Sequence, residues 1–454
     1  MLMVDDLYDR LGLSSVIKPL KAKGLDLDAL TKALVTYKLE ANHSILRAGK
    51  WLNTPGVGEH YDLPEFNDRA LYRAVALLGK NRDKIMVALQ DSVLRLLGQP
   101  KTDVLLDWTS LVVWGRMVEK AEFGHSKGEH PEERQINIGV AQLAPPFNIP
   151  IALTVEAGNM NDCTHFQSTY RQVRRVLQED SLAIFDNGGV SLANLRMVEL
   201  DGNDYLTRLE LTKSTDKAYE KFGGDGWELV DERTCTFVKT RIFPNSVNYY
   251  FRSGKLEADQ HASLRRRAQR ELRGAKDIQR SIDNRRGLPK KYRVNNLLVD
   301  VKYEYQTKLV SMNDADAIEF LMRGRSNGRE GCFCLTTNRQ GMEPMEALRL
   351  YRAKDAIEKL FHSLKGDIEV GPLRVRLEDA VFGAVLLAFI AQVFVSLTRV
   401  LCEPARKVST KFIAADLESL TVTVEIQADG RKRRTYSNFN PLNLAILAHL
   451  LAET

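Results

Sequence analysis

The order of hydrophobic patterns between residues 103 and 211 is the feature of this chain that most restricts its fold. Three short apolar runs of β type come first, and α-type runs then alternate with two further strands. In chain order the segments are DVLLDWTSLVVW, RQINIGVAQLAP, IPIALTVEAG, THFQSTYRQVRRVLQE, SLAIFDNGG, SLANLRMVE and DYLTRLEL. Three successive strands joined by turns, followed by helical crossovers, predict a mixed α/β sheet with helices on its faces.

The pattern changes on both sides of this segment. Residues 1–100 carry apolar residues at three- and four-residue spacing, which predicts helices, and Asn67 and Asp68 are suitable caps for one of them. Residues 214–338 mix short strand-like runs with a highly charged helix, which is typical of an insertion. We therefore predict five segments: a helical N-terminal domain (1–100), the first part of the core (101–213), an insertion domain (214–338), the second part of the core (339–404) and a C-terminal extension (405–454).

One apolar run is long enough to raise the question of a membrane. Ala380 to Thr398 contains nineteen uncharged residues, close to the length of a membrane span. Gln392 and Ser396 interrupt the run, and a helix that is buried on all sides of a soluble core shows the same composition. We interpret this segment as a core helix.

Composition and cysteine content indicate the compartment. The 454 residues are 44% hydrophobic and 27% charged, so the chain can bury a sizeable core and is too long for one ordinary domain. Its five cysteines are scattered and form no C-x2-C pair of zinc type. The first residues, MLMVDDLYDR, are acidic and lack the apolar stretch of a secretory signal. We expect a cytoplasmic protein.

The most basic segment of the chain runs from His261 to Arg293. It contains twelve lysines and arginines against three acidic residues, although the whole chain has a net charge of only +6. A solvated helix laced with ion pairs is one interpretation, and a membrane surface is a weaker one because the segment lacks an apolar face rich in Leu or aromatic residues. Nucleic acid is the preferred partner, because neutralising phosphates releases counterions. Arg265, Arg266, Arg267 and Arg270 are the predicted DNA contacts.

Two aspartates occupy the predicted strands. Asp107 lies inside the apolar run VLLDWT, and Asp186 follows the apolar run LAIF. The carboxyl ends of parallel strands are where α/β sheets place their sites, so neighbouring strands would bring the two carboxylates together. Close carboxylates repel unless one is protonated or a divalent cation lies between them, and Mg²⁺ or Mn²⁺ prefers such oxygen ligands. With Glu358 as a third ligand, the set suits two-metal phosphodiester chemistry.

Glu358 belongs to a stripe of polar residues in YRAKDAIEKLFHSLK. If this segment is one helix, Tyr351, Lys354, Glu358 and Lys365 fall within roughly 60° of one another. The plain interpretation is a solvated face with an i,i+4 pair of Lys354 and Glu358. The alternative is a functional face.

The spacing of these four residues resembles the Y-x2-R-x3-E-x6-K signature of DDE transposases from prokaryotic insertion sequences. The similarity extends to LLDWTS, GHSKGEHPEERQINIGV, VEAGNMNDCTHF, FDNGGVSLANL and CFCLTTN, and FNDRALYRAV is similar to the N-terminal region of the family. The resemblance implies a ribonuclease-H-like catalytic core, interrupted by a largely β insertion domain and preceded by a helical domain that binds DNA ends.

The resemblance also implies an activity and a set of roles. The activity is cut-and-paste transposition, in which metal-dependent cleavage at the element's ends is followed by strand transfer into target DNA. Asp107, Asp186 and Glu358 would be the catalytic ligands of Mg²⁺ or Mn²⁺, two ions per site. Tyr351, Lys354 and Lys365 would contact the terminal DNA of the inverted repeats. A homodimer on DNA is the expected assembly.

The sequence departs from the family at two positions, where Lys354 replaces the usual arginine and Asn187 follows Asp186 in place of a basic residue. Trp227 is a candidate for stacking on an extruded base, and a packing role is the alternative. His125 and His130 match no zinc spacing. Two other functions stay open: a catalytically inactive, transposase-derived DNA-binding protein, and a ribonuclease-H-like nuclease.

Overall fold

A computed structural model describes residues 1–40, 44–124, 132–211, 226–283, 293–294, 297–298, 309–371, 373–427 and 432–451. His125, His130 and most of the strand-like run NLLVDVKYEYQTKLV lie outside the described residues.

The described helices follow the chain in this order: α1 (Leu2–Arg10), α2 (Ser14–Ile17), α3 (Leu27–Glu40), α4 (Ile45–Leu52), α5 (Pro55–Tyr61), α6 (Asp68–Lys80), α7 (Arg82–Leu96), α8 (Asp162–Arg174), α9 (Leu192–Leu200), α10 (Gly254–Asp283), α11 (Asp314–Arg323), α12 (Pro344–Arg352), α13 (Asp355–His362), α14 (Glu378–Leu401), α15 (Thr410–Glu418) and α16 (Pro441–Leu451). A π-helical turn (Ser363–Asp367) follows α13 directly.

The described strands are β1 (Val104–Val112), β2 (Gln135–Leu143), β3 (Pro150–Ala157), β4 (Leu182–Phe185), β5 (Asp204–Leu209), β6 (Glu228–Asp231), β7 (Thr236–Phe243), β8 (Ser246–Ser253), β9 (Arg293–Val294), β10 (Leu297–Leu298), β11 (Cys332–Thr337), β12 (Thr421–Ile426) and β13 (Lys432–Ser437). The chain divides into two compact units, the first formed by Met1–Thr207 with Arg349–Thr454 and the second by Arg208–Leu348.

The first unit contains a mixed sheet in the order β3-β2-β1-β4-β5. β2 runs antiparallel to β1 and β3, whereas β1, β4 and β5 run parallel to one another. The β-β-β-α-β-α-β order of the sequence patterns produces this arrangement, because α8 and α9 supply the two crossovers. The predicted mixed α/β fold is confirmed, and the strand order is that of the ribonuclease-H-like core implied by the resemblance.

Helix α14 forms the centre of the first unit. Every residue from Ala380 to Thr398 is buried, and the helix packs against α3, α6 and β3. Its length and its mean hydropathy of 2.4 would also suit a membrane span, but all of that apolar window is enclosed by protein. The all-round apolarity therefore reflects burial within the unit, as the core-helix interpretation predicts.

Helices α6 and α14 cross at two glycines. A Cβ on Gly79 would lie 1.8 Å from the carbonyl oxygen of Asp379, and a Cβ on Gly383 would lie 1.9 Å from the carbonyl oxygen of Val75. Neither position can hold a side chain at this separation, so the two glycines allow the backbones to touch. The N-terminal helices thus belong to the same compact unit as the core sheet.

The second unit contains the antiparallel sheet β11-β8-β7-β6 and the helices α10 and α11. Ala268 and Leu272 of α10 pack against Leu309 and against Ala317 and Leu321, the last two from α11. The predicted basic helix from His261 to Arg293 therefore begins earlier, at Gly254, and its described part ends at Asp283. The insertion carries a long helix beside its strands.

The segment from Tyr351 to Lys365 is not one helix, contrary to the sequence interpretation. α12 ends at Arg352, Lys354 N bonds Tyr351 O at 3.1 Å in a tight turn, and α13 begins at Asp355. Lys365 then lies in the π-helical turn, which Ile368 N closes by donating to Ser363 O at 2.9 Å. The signature is therefore spread over three short elements.

Candidate active site

The sheet brings Asp107 and Asp186 to the same level. β1 and β4 run parallel, with Val104 paired to Ala183 and Leu105 to Ile184. Two residues further along each chain, the same register sets Asp107 beside Asp186. Aligned residues on neighbouring parallel strands point to the same face and are separated by roughly 5 Å at the backbone. The two predicted carboxylates therefore share one edge of the sheet.

Close packing behind Asp107 fixes its strand. Trp108 faces the opposite side of the sheet and pairs with Gly139 of β2. A Cβ on Gly139 would lie 2.8 Å from the indole and 2.4 Å from Thr169 Oγ1, so only glycine leaves room there. The indole Nε1 donates to Thr169 Oγ1 at 3.0 Å. The packed indole of Trp108 and the pairing of β1 with its neighbouring strands thus fix the backbone position of Asp107.

Tyr351 and Lys354 both reach Asp186. The phenolic hydroxyl of Tyr351 donates to Asp186 Oδ1 at 3.0 Å, and Lys354 Nζ lies 3.7 Å from Asp186 Oδ2. The ammonium also lies 5.8 Å from the centroid of the Tyr351 ring. The Lys354 side chain is 7% exposed, whereas that of Asp186 is 44% exposed. A buried cation is thus compensated by a carboxylate that remains open to solvent on its other side.

Lys365 approaches the same face of β1. Its Nζ donates to Thr109 Oγ1 at 2.6 Å. Thr109 lies two residues after Asp107, so both side chains project from the same face of the strand. Thr109 was not among the predicted site residues, although the alternation of DWT in the sequence could have revealed it.

Glu358 occupies a different position from the two aspartates. It lies on α13, which packs against β1, and its side chain is exposed. It makes no hydrogen bond or ion pair with any described residue. Within the described part of the chain, no three Asp, Glu, His or Cys side chains are gathered closely enough to hold a metal ion. The structure brings together five of the predicted residues, with Glu358 on an adjoining helix.

The donor set at the sheet edge fits a hard divalent cation. Asp107 and Asp186 offer carboxylate oxygens on one face, and the exposure of Asp186 leaves room beside them. Glu358 has no competing partner among the described residues, so its long side chain can be recruited without breaking a contact. These three residues would hold the ion.

The remaining predicted site residues lie in the second unit. Arg265, Arg266, Arg267 and Arg270 are exposed on α10, and none of them has an ion pair or hydrogen bond with a described residue. The opposite face of α10 is buried, so the arginines cover the solvent face rather than every side of the helix. Trp227 is partly buried and Lys239 Nζ lies 5.3 Å from its ring centroid. Their roles stay predictions.

Comparison with known proteins identifies the family. Residues 98–394 match the family model described as "Transposase DDE domain", which covers more than half of the chain. A search of curated proteins found no match. Among solved structures, the chain is similar to a cryo-EM structure of the piggyBac transposase synaptic complex with hairpin DNA, with a TM-score of 0.42 and 10% identity over 92% of this chain and 77% of that chain. The matched residues contain β1, β4, α13 and most of α14, and because they span more than half of the chain, it belongs to the DDE transposases, enzymes that cleave DNA and transfer its strands.

Proposed function

We propose that Asp107, Asp186 and Glu358 form the catalytic site and that the chain cleaves the inverted repeats of a prokaryotic insertion sequence. The observation that carries the proposal is the contact of Tyr351 and Lys354 with Asp186. Two members of the polar stripe thereby contact a carboxylate that directly follows β4 and lies far from them in sequence. If the stripe were only a solvated helix face, these contacts with Asp186 would have no explanation.

The polar residues would hold the scissile phosphate. Lys354 carries a buried positive charge at the edge of Asp186, and Lys365 places a second one beside Thr109 of β1. Phosphoryl transfer depends mainly on positioning and on stabilising charge, which fixed cations in a partly buried site supply. Tyr351 orients the Asp186 carboxylate through its hydrogen bond.

A divalent cation is required by the family, and we propose Mg²⁺ or Mn²⁺ with two ions per site. When bound, such ions activate the attacking oxygen and stabilise the leaving one. Asp107 and Asp186 would hold them on one face, and Glu358 would complete the set from α13.

DNA is the partner, and α10 supplies the proposed contact outside the active site. Its exposed arginines are free of ion pairs with described residues and suit phosphates rather than ordered base edges. A homodimer on the DNA ends and a cytoplasmic location complete the proposal.

Cleavage by carboxylate variants tests this function. The substrate is a duplex of the inverted repeat that flanks the gene, under single-turnover conditions with Mg²⁺. Asp107→Asn, Asp186→Asn and Glu358→Gln should each abolish cleavage while DNA binding stays near the wild-type level, because each removes a proposed metal ligand. Asp186→Asn should also lower stability, since the buried Lys354 loses its counter-charge. Asp355→Asn, on the same helix as Glu358, should cleave normally. A Glu358→Gln enzyme with wild-type cleavage would contradict the proposal and favour a different third ligand.

A further inference from the structure

A cavity of about 780 Å³ opens in the first unit on another side of α13. Its walls come from the end of β2 and the following loop, from α13, from α14 and from the segment that leads into α15. Ala356, Lys359 and Leu360 of α13 line it and lie about 100° to 200° around the helix from Glu358, whereas His362, which also lines it, lies about 40° from Glu358. The cavity therefore lies mainly on the side of α13 away from Glu358 and borders the Glu358 face at His362, and its size is that of an ordinary small-ligand pocket.

Two buried amides in its wall have unpaired oxygens. Gln142 and Gln392 are 1% and 2% exposed, and Oε1 of each accepts no hydrogen bond from a described residue. Each amide nitrogen has one long contact of 3.5 Å, to Asn148 Oδ1 and to Ser396 Oγ respectively. Buried polar atoms are nearly always paired, and an unpaired one lowers stability. Both glutamines line the same cavity, although each unpaired oxygen is itself enclosed by protein. Rotation of either amide would turn its oxygen toward the cavity, where an N–H donor of a ligand would satisfy it.

The edge of the cavity is positively charged. Arg406 and Lys407 line it, are exposed, and form no ion pair with a described residue. Lys359, His362 and Arg399 also line it, and Asp367 is the one acidic residue among the lining side chains. The balance of charge favours an anionic group on the ligand.

An aromatic ring completes the wall. Phe147 lines the cavity and is only partly buried, so part of its ring surface is available. Bases stack on such rings without regard to sequence. The cavity therefore combines an aromatic surface, two amides that need donors, and a cationic edge.

We propose that this cavity binds a nucleotide. The base lies against Phe147 with its N–H groups toward Gln142 and Gln392, and its phosphate lies on Arg406 and Lys407. The nucleotide has two possible sources, a free mononucleotide or an unpaired nucleotide of bound DNA. The proposal that DNA supplies the nucleotide rests on the proposed function. Binding of a free mononucleotide does not, because it can be measured without DNA and without cleavage.

The first arm of the test removes the amides. We expect the full-length protein to bind dAMP more tightly than inorganic phosphate, and more tightly than dTMP, whose base has no exocyclic amino group. Gln392→Leu and Gln142→Leu should each weaken dAMP binding roughly tenfold, in keeping with the loss of one buried hydrogen bond. Their melting temperatures without ligand should not fall, because each variant removes an unpaired polar atom.

Thr207→Val is the matched control for this arm. Thr207 is fully buried on β5, and its hydroxyl also has no hydrogen-bond partner among the described residues, but it does not line the cavity. It should leave dAMP affinity unchanged.

The second arm removes the charges and separates the sources. The variant that combines Arg406→Gln with Lys407→Gln changes only exposed side chains, so it should fold. It should bind dAMP more weakly than wild type, and its affinity should depend less steeply on salt concentration. Lys84→Gln, on the exposed face of α7, is the control. Two hairpin duplexes, identical except that one carries an unpaired dA, test whether bound DNA supplies the nucleotide. If the unpaired dA tightens binding by wild type but not by Gln392→Leu, DNA supplies the nucleotide. If only dAMP responds to the variants, the source is a free nucleotide.

Three results would overturn the proposal. Binding of dAMP no tighter than that of inorganic phosphate, together with no effect of the unpaired dA, would leave a cavity that holds only water. If both amide variants bind dAMP and the unpaired-dA duplex with wild-type affinity, the base does not contact Gln142 or Gln392 and the proposed binding mode is wrong. If the double charge variant binds dAMP with wild-type affinity, the phosphate does not lie on Arg406 and Lys407.

Discussion

Lys354 is the residue at which the two interpretations of the polar stripe separate. From the sequence it could be an i,i+4 partner of Glu358 on a solvated helix. In the structure it is buried, caps the start of α13, and has its ion pair with Asp186 among the described residues. Burying an ammonium is costly unless it is compensated, and the carboxylate of Asp186 compensates it.

Substitutions of Lys354 test its role at the DNA. Lys354→Arg should preserve or improve end cleavage, because a guanidinium offers two donors to a phosphate where an ammonium offers a point charge. Lys354→Ala should lose cleavage and should also cost stability, since Asp186 loses its cation. Single-turnover cleavage of a pre-bound terminal-repeat duplex measures the first effect and urea unfolding the second. A near wild-type rate for the alanine variant would mean that Lys354 serves only the fold.

At the scale of elements, the strands and crossovers could be predicted from hydrophobic period, but the local breaks could not. The alternation in VLLDWTS and the apolar run LAIF were sufficient to place Asp107 on a strand and Asp186 at the end of another. The turn at Lys354 and the π-helical turn at Lys365 were not visible, because no proline or glycine marks the first and the helical spacing continues through both. The side chains at these breaks contact Asp186 and β1, and such contacts have no local sequence signal.

The crossing of α6 and α14 gives a prediction about stability. Gly383→Ala should destabilise the protein by about 3 kcal/mol, the upper end of the usual cost of overpacking, because its Cβ would meet the backbone of α6. Gly274→Ala is the matched control, since a Cβ there meets nothing within 4 Å on α10. That variant should be neutral or up to about 1 kcal/mol more stable, as expected for alanine in a helix. Thermal and urea unfolding measure both. Equal stability of the two variants would show that the helices separate easily at the glycine.

The solvent face of α10 gives a prediction about DNA binding. Arg265→Gln, Arg266→Gln and Arg267→Gln together should reduce the slope of log affinity against log salt by nearly three units, at about 0.9 per phosphate contact. The triple lysine variant at the same positions keeps the charge and should keep the slope. Titration of a duplex at several salt concentrations measures it. An unchanged slope in the glutamine variant would return α10 to an ordinary solvated helix.

At the scale of the whole molecule, two separate stretches of the chain form the unit that carries the proposed site. Asp107 and Asp186 come from Met1–Thr207, whereas Tyr351, Lys354, Glu358 and Lys365 come from Arg349–Thr454. The change of sequence pattern after residue 213 led to the prediction of an insertion domain over residues 214–338, and its bounds stay a prediction. The packing of α14 against the N-terminal helices could not be predicted, because a helix that is apolar on all sides carries no signal of which elements it contacts.

In the proposed site, Asp107, Asp186 and Glu358 bind the same divalent ions when DNA is present. Anomalous scattering from Mn²⁺, in a crystal of the full chain with its terminal-repeat duplex, locates the ions directly. We expect Mn²⁺ bonded to carboxylate oxygens of all three residues, with Lys354 and Lys365 against the terminal phosphates. Ions held by the two aspartates without Glu358, or located elsewhere in the chain, would contradict it.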